Sequence, residues 1–250
     1  MPAKAKIRKM FDSIAADYDR LNHVLSLDVD RTWRKKALKE VAHSAPLRDR
    51  EGWLVSGVEP PGSIEVLDLA CGTGDFSIEI AKHLDRVHVT GVDLSEGMLA
   101  VMKDKVNKLC LEEAISIETG DGEHLRFADG TFDRVTNAFG IRNFEDRQQG
   151  LREALRVLKP GGRLIILELS RPENRFLRRL YDLYFLRILP KIGGRISGEK
   201  EAYAYLPASV KTFPGKKEFT AMMRQAGFED LRHKAFTFGI CRMYTGYKPR

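Results

Sequence analysis

Residues 64–75 read IEVLDLACGTGD, and the change of pattern inside them decides the fold. Ile64–Ala70 is a short apolar, β-branched run with the length of a buried strand. Gly72-Thr73-Gly74 then breaks the run, and a helical stretch continues to about Leu84. A buried strand passing through a glycine turn into a helix is the opening unit of a parallel sheet, and its ligand sits beyond the strand's carboxyl end. The third small residue of a dinucleotide fingerprint is missing, since Ser77 stands in that place. Asp68 and Asp75 flank the turn, and their charge repels a pyrophosphate and suits a cation.

The same alternation extends towards the C-terminus. Val87–Asp93 (VHVTGVD) is predicted as the next strand, with Ser95 capping a helix to about Lys108. Strands at Ile115–Thr119, Phe132–Phe139 and Arg163–Leu169 follow, with a helix near Asp146–Leu158 before the last. A helix after Pro214 runs to about Ala226, and the final strands, Glu229–Phe236 and Gly239–Tyr247, lie too close together for a crossover helix. The expected fold is α/β: a doubly wound, mostly parallel seven-stranded sheet with an antiparallel C-terminal strand pair.

On the other side, residues 1 to about 43 look helical, with Phe11, Ile14, Ala15 and Tyr18 on one face. Residues 46–63, rich in proline and glycine, read as a loop. A basic helical segment interrupts the rhythm between about Asn174 and Tyr205. Residues 1–250 therefore divide, as one domain, into helical 1–45, loop 46–63, core 64–170, a helical addition 171–210, and a final helix and strand pair at 211–250.

The chain has 250 residues, is 43% hydrophobic and 31% charged, and carries a net charge of +7. That composition excludes wholesale disorder, and no apolar run reaches the ~18 residues of a membrane span. Cys71, Cys110 and Cys241 form no CxxC, which argues against a disulfide framework or zinc knot and predicts a cytoplasmic protein with reduced thiols. Much of the positive charge is concentrated: Arg171–Lys200 holds eight basic residues against three acidic ones. Such a segment suits an anionic surface or a solvated helix face.

Three carboxylates fall at consecutive strand ends. Asp68 ends the first; Asp93, nineteen residues after Gly74, ends the second, where it can accept both hydroxyls of a ribose. Asp121 follows the third and can accept from an adenine amino group. Each alone reads equally as a turn or capping residue; together with the glycine turn they describe a nucleoside site.

Val66–Asp75 (VLDLACGTGD), Gly91–Met98 (GVDLSEGM) and Leu158–Gly162 (LKPGG) resemble the class I S-adenosylmethionine-dependent methyltransferases. Phe11–Asp19 (FDSIAADYD), Leu21-Asn22-His23, Trp33-Arg34, Phe139–Asn143 (FGIRN), Leu167–Pro172 (LELSRP) and Ala204–Pro214 (AYLPASVKTFP) are similar to the ubiquinone/menaquinone biosynthesis C-methyltransferases. The likeness covers most of the chain, and Arg48–Pro61 is longer than the family pattern there.

The resemblance implies a Rossmann-like methyltransferase domain with 1–45 as a lid and 171–210 as a substrate cap. It implies S-adenosylmethionine as cofactor, held by Asp68, Gly72, Thr73, Gly74, Asp93, Leu94, Met98, Asp121, Gly122 and Ala138, with no metal. The implied reaction converts demethylmenaquinol to menaquinol, with a polyprenyl methoxybenzoquinol as the alternative or additional substrate.

Such a reaction needs a group that stabilises a ring phenolate, because a phenol titrates near ~10. Arg142 is the candidate, with Asn143 sharing the oxygen; the alternative for Arg142 is a salt bridge closing its loop. Tyr18, Asp19 and His23 lie in the lid, where His23 or Asp19 would accept the phenolic proton. Phe176, Leu177, Leu180, Tyr181, Tyr184, Phe185 and Leu189 give the basic segment a broad apolar face, which suits an anionic membrane, the roof of a pocket or a homodimer contact. An RNA methyltransferase is the rival suggested by the pI of ≈ 9.3. Against it, no interleaved aromatic–basic platform or RNA-binding module is found, and Asn137-Ala138-Phe139-Gly140 replaces the Asp/Asn-Pro-Pro-aromatic loop common in amino-methylating enzymes. No nucleic-acid partner is expected. A scaffold that has lost its cofactor is disfavoured by the intact Asp68, Gly72, Gly74 and Asp93.

Overall fold

In a computed structural model, β3 (Ile64–Leu69) is the hub of the molecule. The structure describes residues 4–26, 28–42, 47–48, 54–55, 63–185 and 200–250. β3 pairs in parallel with β4 (Val87–Asp93) on one side and with β6 (Phe132–Ala138) on the other. β5 (Ile115–Thr119) extends one edge. On the other edge come β7 (Leu158–Leu169), β9 (Cys241–Tyr247) and β8 (Glu229–Phe236), giving the order β5-β4-β3-β6-β7-β9-β8. Both pairings of β9 are antiparallel, and for its pairing with β8 the short connection requires it. The order reverses at β3, so β3, β4 and β6 open their carboxyl ends onto the switch-point crevice.

Burial explains why the central strands read as continuous apolar runs. In β7, Ile165 and Leu167 join the core formed with Trp33, Ala37, Phe76, Ile80 and Met102, whereas Leu164 and Ile166 join the opposite core around Leu151, Phe219 and Tyr244. The helices on the first face are α3 (Val29–Ala42), α4 (Asp75–His83) and α5 (Glu96–Lys108); those on the second are α6 (Arg147–Val157) and α9 (Lys216–Ala226). Ser95 and Asp146 cap α5 and α6 by accepting from Met98 and Gln149 N–H groups. A third cluster joins α1 (Lys4–Ile14) to the helical addition: Ile14 and Ala15 pack with Met98, Tyr181, Phe185 and Val210. Met98 comes from α5, and the other partners from α7 (Arg175–Leu183), the turn after it and α8 (Lys200–Thr212).

Two expectations change. β7 begins at Leu158 instead of Arg163, because Leu158 pairs with Phe132 and a bulge absorbs the proline–glycine stretch. Residues 46–63 are not wholly irregular: β1 (Leu47–Arg48) and β2 (Leu54–Val55) pair as a small antiparallel hairpin. Much of that loop, and residues 186–199 of the basic segment with Leu189 among them, lie outside the described residues.

Candidate active site

The first cleft opens at the carboxyl ends of β3, β4 and β6. Gly72 has φ +57°, and a Cβ built there would meet nothing within 4 Å, so the turn faces open cleft. Gly74, also left-handed at φ +79°, does another job: a Cβ would lie 2.4 Å from the Met102 side chain. It is the close-packing residue of the turn, where the absence of a side chain makes room for Met102. Ala70 and Phe139 hold φ of +55° and +62°, and such strain in non-glycine residues collects at sites held by the surrounding fold.

Asp93 ends β4 and binds the turn to the sheet: its carboxylate accepts from Gly72 N–H at 2.9 Å and Ser95 N–H at 2.8 Å. Burial pushes its carboxyl upward, and those amides oppose the shift. Asp68 is deeper, and both its oxygens accept hydroxyl hydrogen bonds, from Ser77 at 2.6 Å and Thr136 at 2.8 Å. Burial raises its pKa to about 6, so a cation lodged beside it restores the charged form. Asp121 pairs with Lys4 Nζ at 2.6 Å, and Glu123 meets the same ammonium at 3.0 Å. Leu94, Met98, Gly122 and Ala138 complete the wall with Asn143 and Thr73. An open backbone cradle ringed by carboxylates fits a ligand with ribose hydroxyls, an adenine amino group and positive charge. S-adenosylmethionine has all three, so these residues would hold it.

α1 and α2 (Tyr18–Ser26) close over this cleft. Asp12 accepts from Ser95 Oγ at 2.6 Å and Gly97 N–H at 3.0 Å, and Arg8 pairs with Glu96 at 3.1 Å. Asp19 accepts from the Thr73 hydroxyl and pairs with Lys105 at 2.9 Å. Asp19 lines neither cleft, and its contacts with Thr73 and Lys105 latch the lid to the glycine turn and α5. His23 lies on α2, and its side chain is outside the described residues.

A second, mainly apolar cleft runs between α2, α3, α7 and the turn at Thr237–Gly239. Tyr18, Asn22, Arg34 and Phe139 line both clefts, so the two meet there. Arg142 stands in the second, only 4% exposed. Its Nη1 donates to Glu168 at 2.9 Å and to the Phe139 carbonyl, while its backbone N–H reaches the other Glu168 oxygen at 3.1 Å. Burial works against its charge, and Glu168, with Tyr18 and Tyr205, more than offsets that. The Nε of Arg142 is buried without a partner. Asn143 Oδ1 accepts from Tyr205 at 3.0 Å.

Sequence reading missed Asp12, Lys105 and Glu168. Glu168 carried a signal: a carboxylate inside the apolar run of β7 has to be paired. Asp12 and Lys105 carried none, since charged residues on amphipathic helices are ordinary.

Sheet order, switch-point cradle and acidic lining together define a class I S-adenosylmethionine-dependent methyltransferase. Comparison with solved structures gives the same fold: the [4+2]-cyclase SpnF matches 99% of this chain and 97% of its own with a TM-score of 0.68 at 16% identity. Phosphoethanolamine N-methyltransferase 2 of Haemonchus contortus, in complex with S-adenosyl-L-methionine, matches 78% of this chain and 50% of its own at TM-score 0.55 and 16% identity. The chain belongs to the ubiE/COQ5 methyltransferase family, whose model matches residues 2–248. It is 48% identical to the ubiquinone/menaquinone biosynthesis C-methyltransferase UbiE of Geobacter sulfurreducens, over 97% of this chain and 88% of that protein. It is 41% identical to the demethylmenaquinone methyltransferase of Bacteroides fragilis, over 97% of this chain and 92% of that one.

Proposed function

We propose that this chain methylates a ring carbon of demethylmenaquinol, giving menaquinol. The observation that carries the reading is the junction of the two clefts at Tyr18, Asn22, Arg34 and Phe139. A polar cradle for the methyl donor meets an apolar chamber in which the buried guanidinium of Arg142 stands, the complement of a prenylated quinol. The names of the Geobacter sulfurreducens and Bacteroides fragilis relatives support it.

S-adenosylmethionine supplies a methyl on a positively charged sulfur, already activated for in-line attack by an electron-rich carbon. The protein has to orient the ring and raise that carbon's nucleophilicity. Arg142 does the second, its partnerless Nε donating to a ring oxygen and stabilising the phenolate left when the phenolic proton passes to water. Glu168 keeps the guanidinium in place, and Asn143, fixed through Tyr205, shares the oxygen. Tyr18 and Phe139 line the junction at which ring and donor meet.

The test is methyl transfer from labelled S-adenosylmethionine to reduced demethylmenaquinone in detergent, beside a demethylated benzoquinol. Product from the naphthoquinol is expected, and product from both means that the pocket reads the quinol ring alone. Cofactor binding without turnover of the naphthoquinol would overturn the substrate assignment.

Among the described residues no helix is long and apolar enough to cross a membrane. Phe176, Leu180, Leu183 and Phe238 are nevertheless exposed; Leu180 and Phe238 line the second cleft, and Arg175, Arg178 and Arg179 share α7 with the first three. We assign this rim to contact with the anionic membrane that holds the substrate, in preference to a second copy of the chain. Co-sedimentation with phosphatidylserine vesicles should weaken with salt and on neutralising the three arginines; indifference to both would overturn the assignment.

A further inference from the structure

Tyr181, which the site assignment above does not use, presents a further orphaned donor among the residues of the apolar cleft. Its ring is 7% exposed, stacked on Phe185 with centroids 4.7 Å apart, and its hydroxyl is buried with no hydrogen-bond partner. It lines the same cleft as Arg142, close enough for the guanidinium to act on its ionisation. Burial pushes the phenol upward all the same, so it is protonated at working pH and offers an O–H to the cleft.

A buried hydroxyl without a partner is costly, and a phenylalanine would keep the stacking and remove the cost. The Tyr181 hydroxyl and the Nε atoms of Arg142 and Arg34 are three of the six buried partnerless side-chain atoms among the described residues, and all three residues line this one cleft. Tyr18 and Tyr205 differ: they reach Asn22 and Asn143.

We propose that Tyr181 is a substrate-binding residue whose hydroxyl donates a hydrogen bond to a ring oxygen of the bound quinol. The inference rests on the quinol reading of the second cleft. It assigns α7 a direct part in recognising the ring, beyond roofing the pocket. The phenol and the guanidinium approach the ring from different elements, α7 and the loop after β6, so together they fix its rotation as well as its depth.

The test is Tyr181→Phe in the full chain, read by steady-state kinetics with reduced demethylmenaquinone, calorimetry with S-adenosylmethionine and thermal unfolding. kcat/KM for the quinol should fall roughly ten-fold, chiefly through KM, the effect of losing one hydrogen bond to substrate. Cofactor affinity should stay within about twofold and the melting temperature should hold or rise, because an unsatisfied hydroxyl has been removed. A merely structural tyrosine would do the reverse, lowering the melting temperature and leaving KM alone. Wild-type turnover with an unchanged kcat/KM in Tyr181→Phe overturns this inference only. A wild-type enzyme that binds cofactor but methylates no quinol overturns the quinol reading, and this inference with it.

Discussion

Arg142→Ala should lower kcat for quinol methylation by about 10²–10³-fold, the loss typical of removing one preorganised donor from a developing oxyanion. Cofactor affinity should stay within about twofold, because Arg142 lines the second cleft and not the first. The variant should also be less stable. Glu168 is 0% exposed and loses the cation that balances it, a cost of about 3–5 kcal/mol for a broken buried pair. The two effects separate in the double variant Arg142→Met, Glu168→Leu, where both charges leave together. Its melting temperature should recover most of the loss, since apolar replacement of a whole buried pair is often neutral or better. Its kcat should not recover. Restored turnover in the double variant, or unchanged kcat in the single one, would reduce Arg142 to a loop-closing salt bridge.

Asp93→Ala should raise the dissociation constant for S-adenosylmethionine by about 10²–10³-fold, measured by calorimetry, with kcat at saturating cofactor changed only a few-fold. Two losses combine. The ribose loses a charged acceptor, and the cradle loses the carboxylate that Gly72 and Ser95 amides share at 2.9 and 2.8 Å. With those amides unpaired, the glycine turn is no longer fixed against β4. Asp93→Asn keeps one acceptor oxygen and should fall between the two. An unchanged affinity in Asp93→Ala would place Asp93 outside the cofactor site and leave it a turn residue.

The central strands and helices were legible because their signals are local. β4 and β5 occupy the predicted residues, Val87–Asp93 and Ile115–Thr119. β4, mostly buried, reads as an apolar run, and β5, the half-exposed edge strand, alternates apolar and polar residues between polar turns. Asp68, Asp93 and Asp121 were legible as a group because parallel strands bring their carboxyl ends to one edge, whatever the details of packing. Gly72 and Gly74 were legible only as a pair. Both sit in one motif, and only the position of Met102, on another helix, tells which one faces the ligand.

Asp19 shows the limit most clearly. An acidic residue beside Tyr18 in a lid suits proton transfer as well as it suits an ion pair, and its partners Thr73 and Lys105 are 54 and 86 residues away. Glu168 had to be paired, but nothing local pointed to its partner Arg142, 26 residues away.

The sequence by itself determined the alternation of strands and helices, the acidic cradle at the switch point and the placement of Arg142 just beyond β6. These follow from periodicity, turn chemistry and the handedness of βαβ units, which act over a few residues or one crossover. The tertiary structure alone decided which charges are spent on one another and which donors remain unspent. Only in three dimensions is Arg142 held by Glu168 with its Nε over, Asp19 consumed by the latch, and Tyr181 left without a partner beside the same cavity. Burial makes each unsatisfied polar atom costly, but which atom goes unsatisfied depends on neighbours that only packing selects.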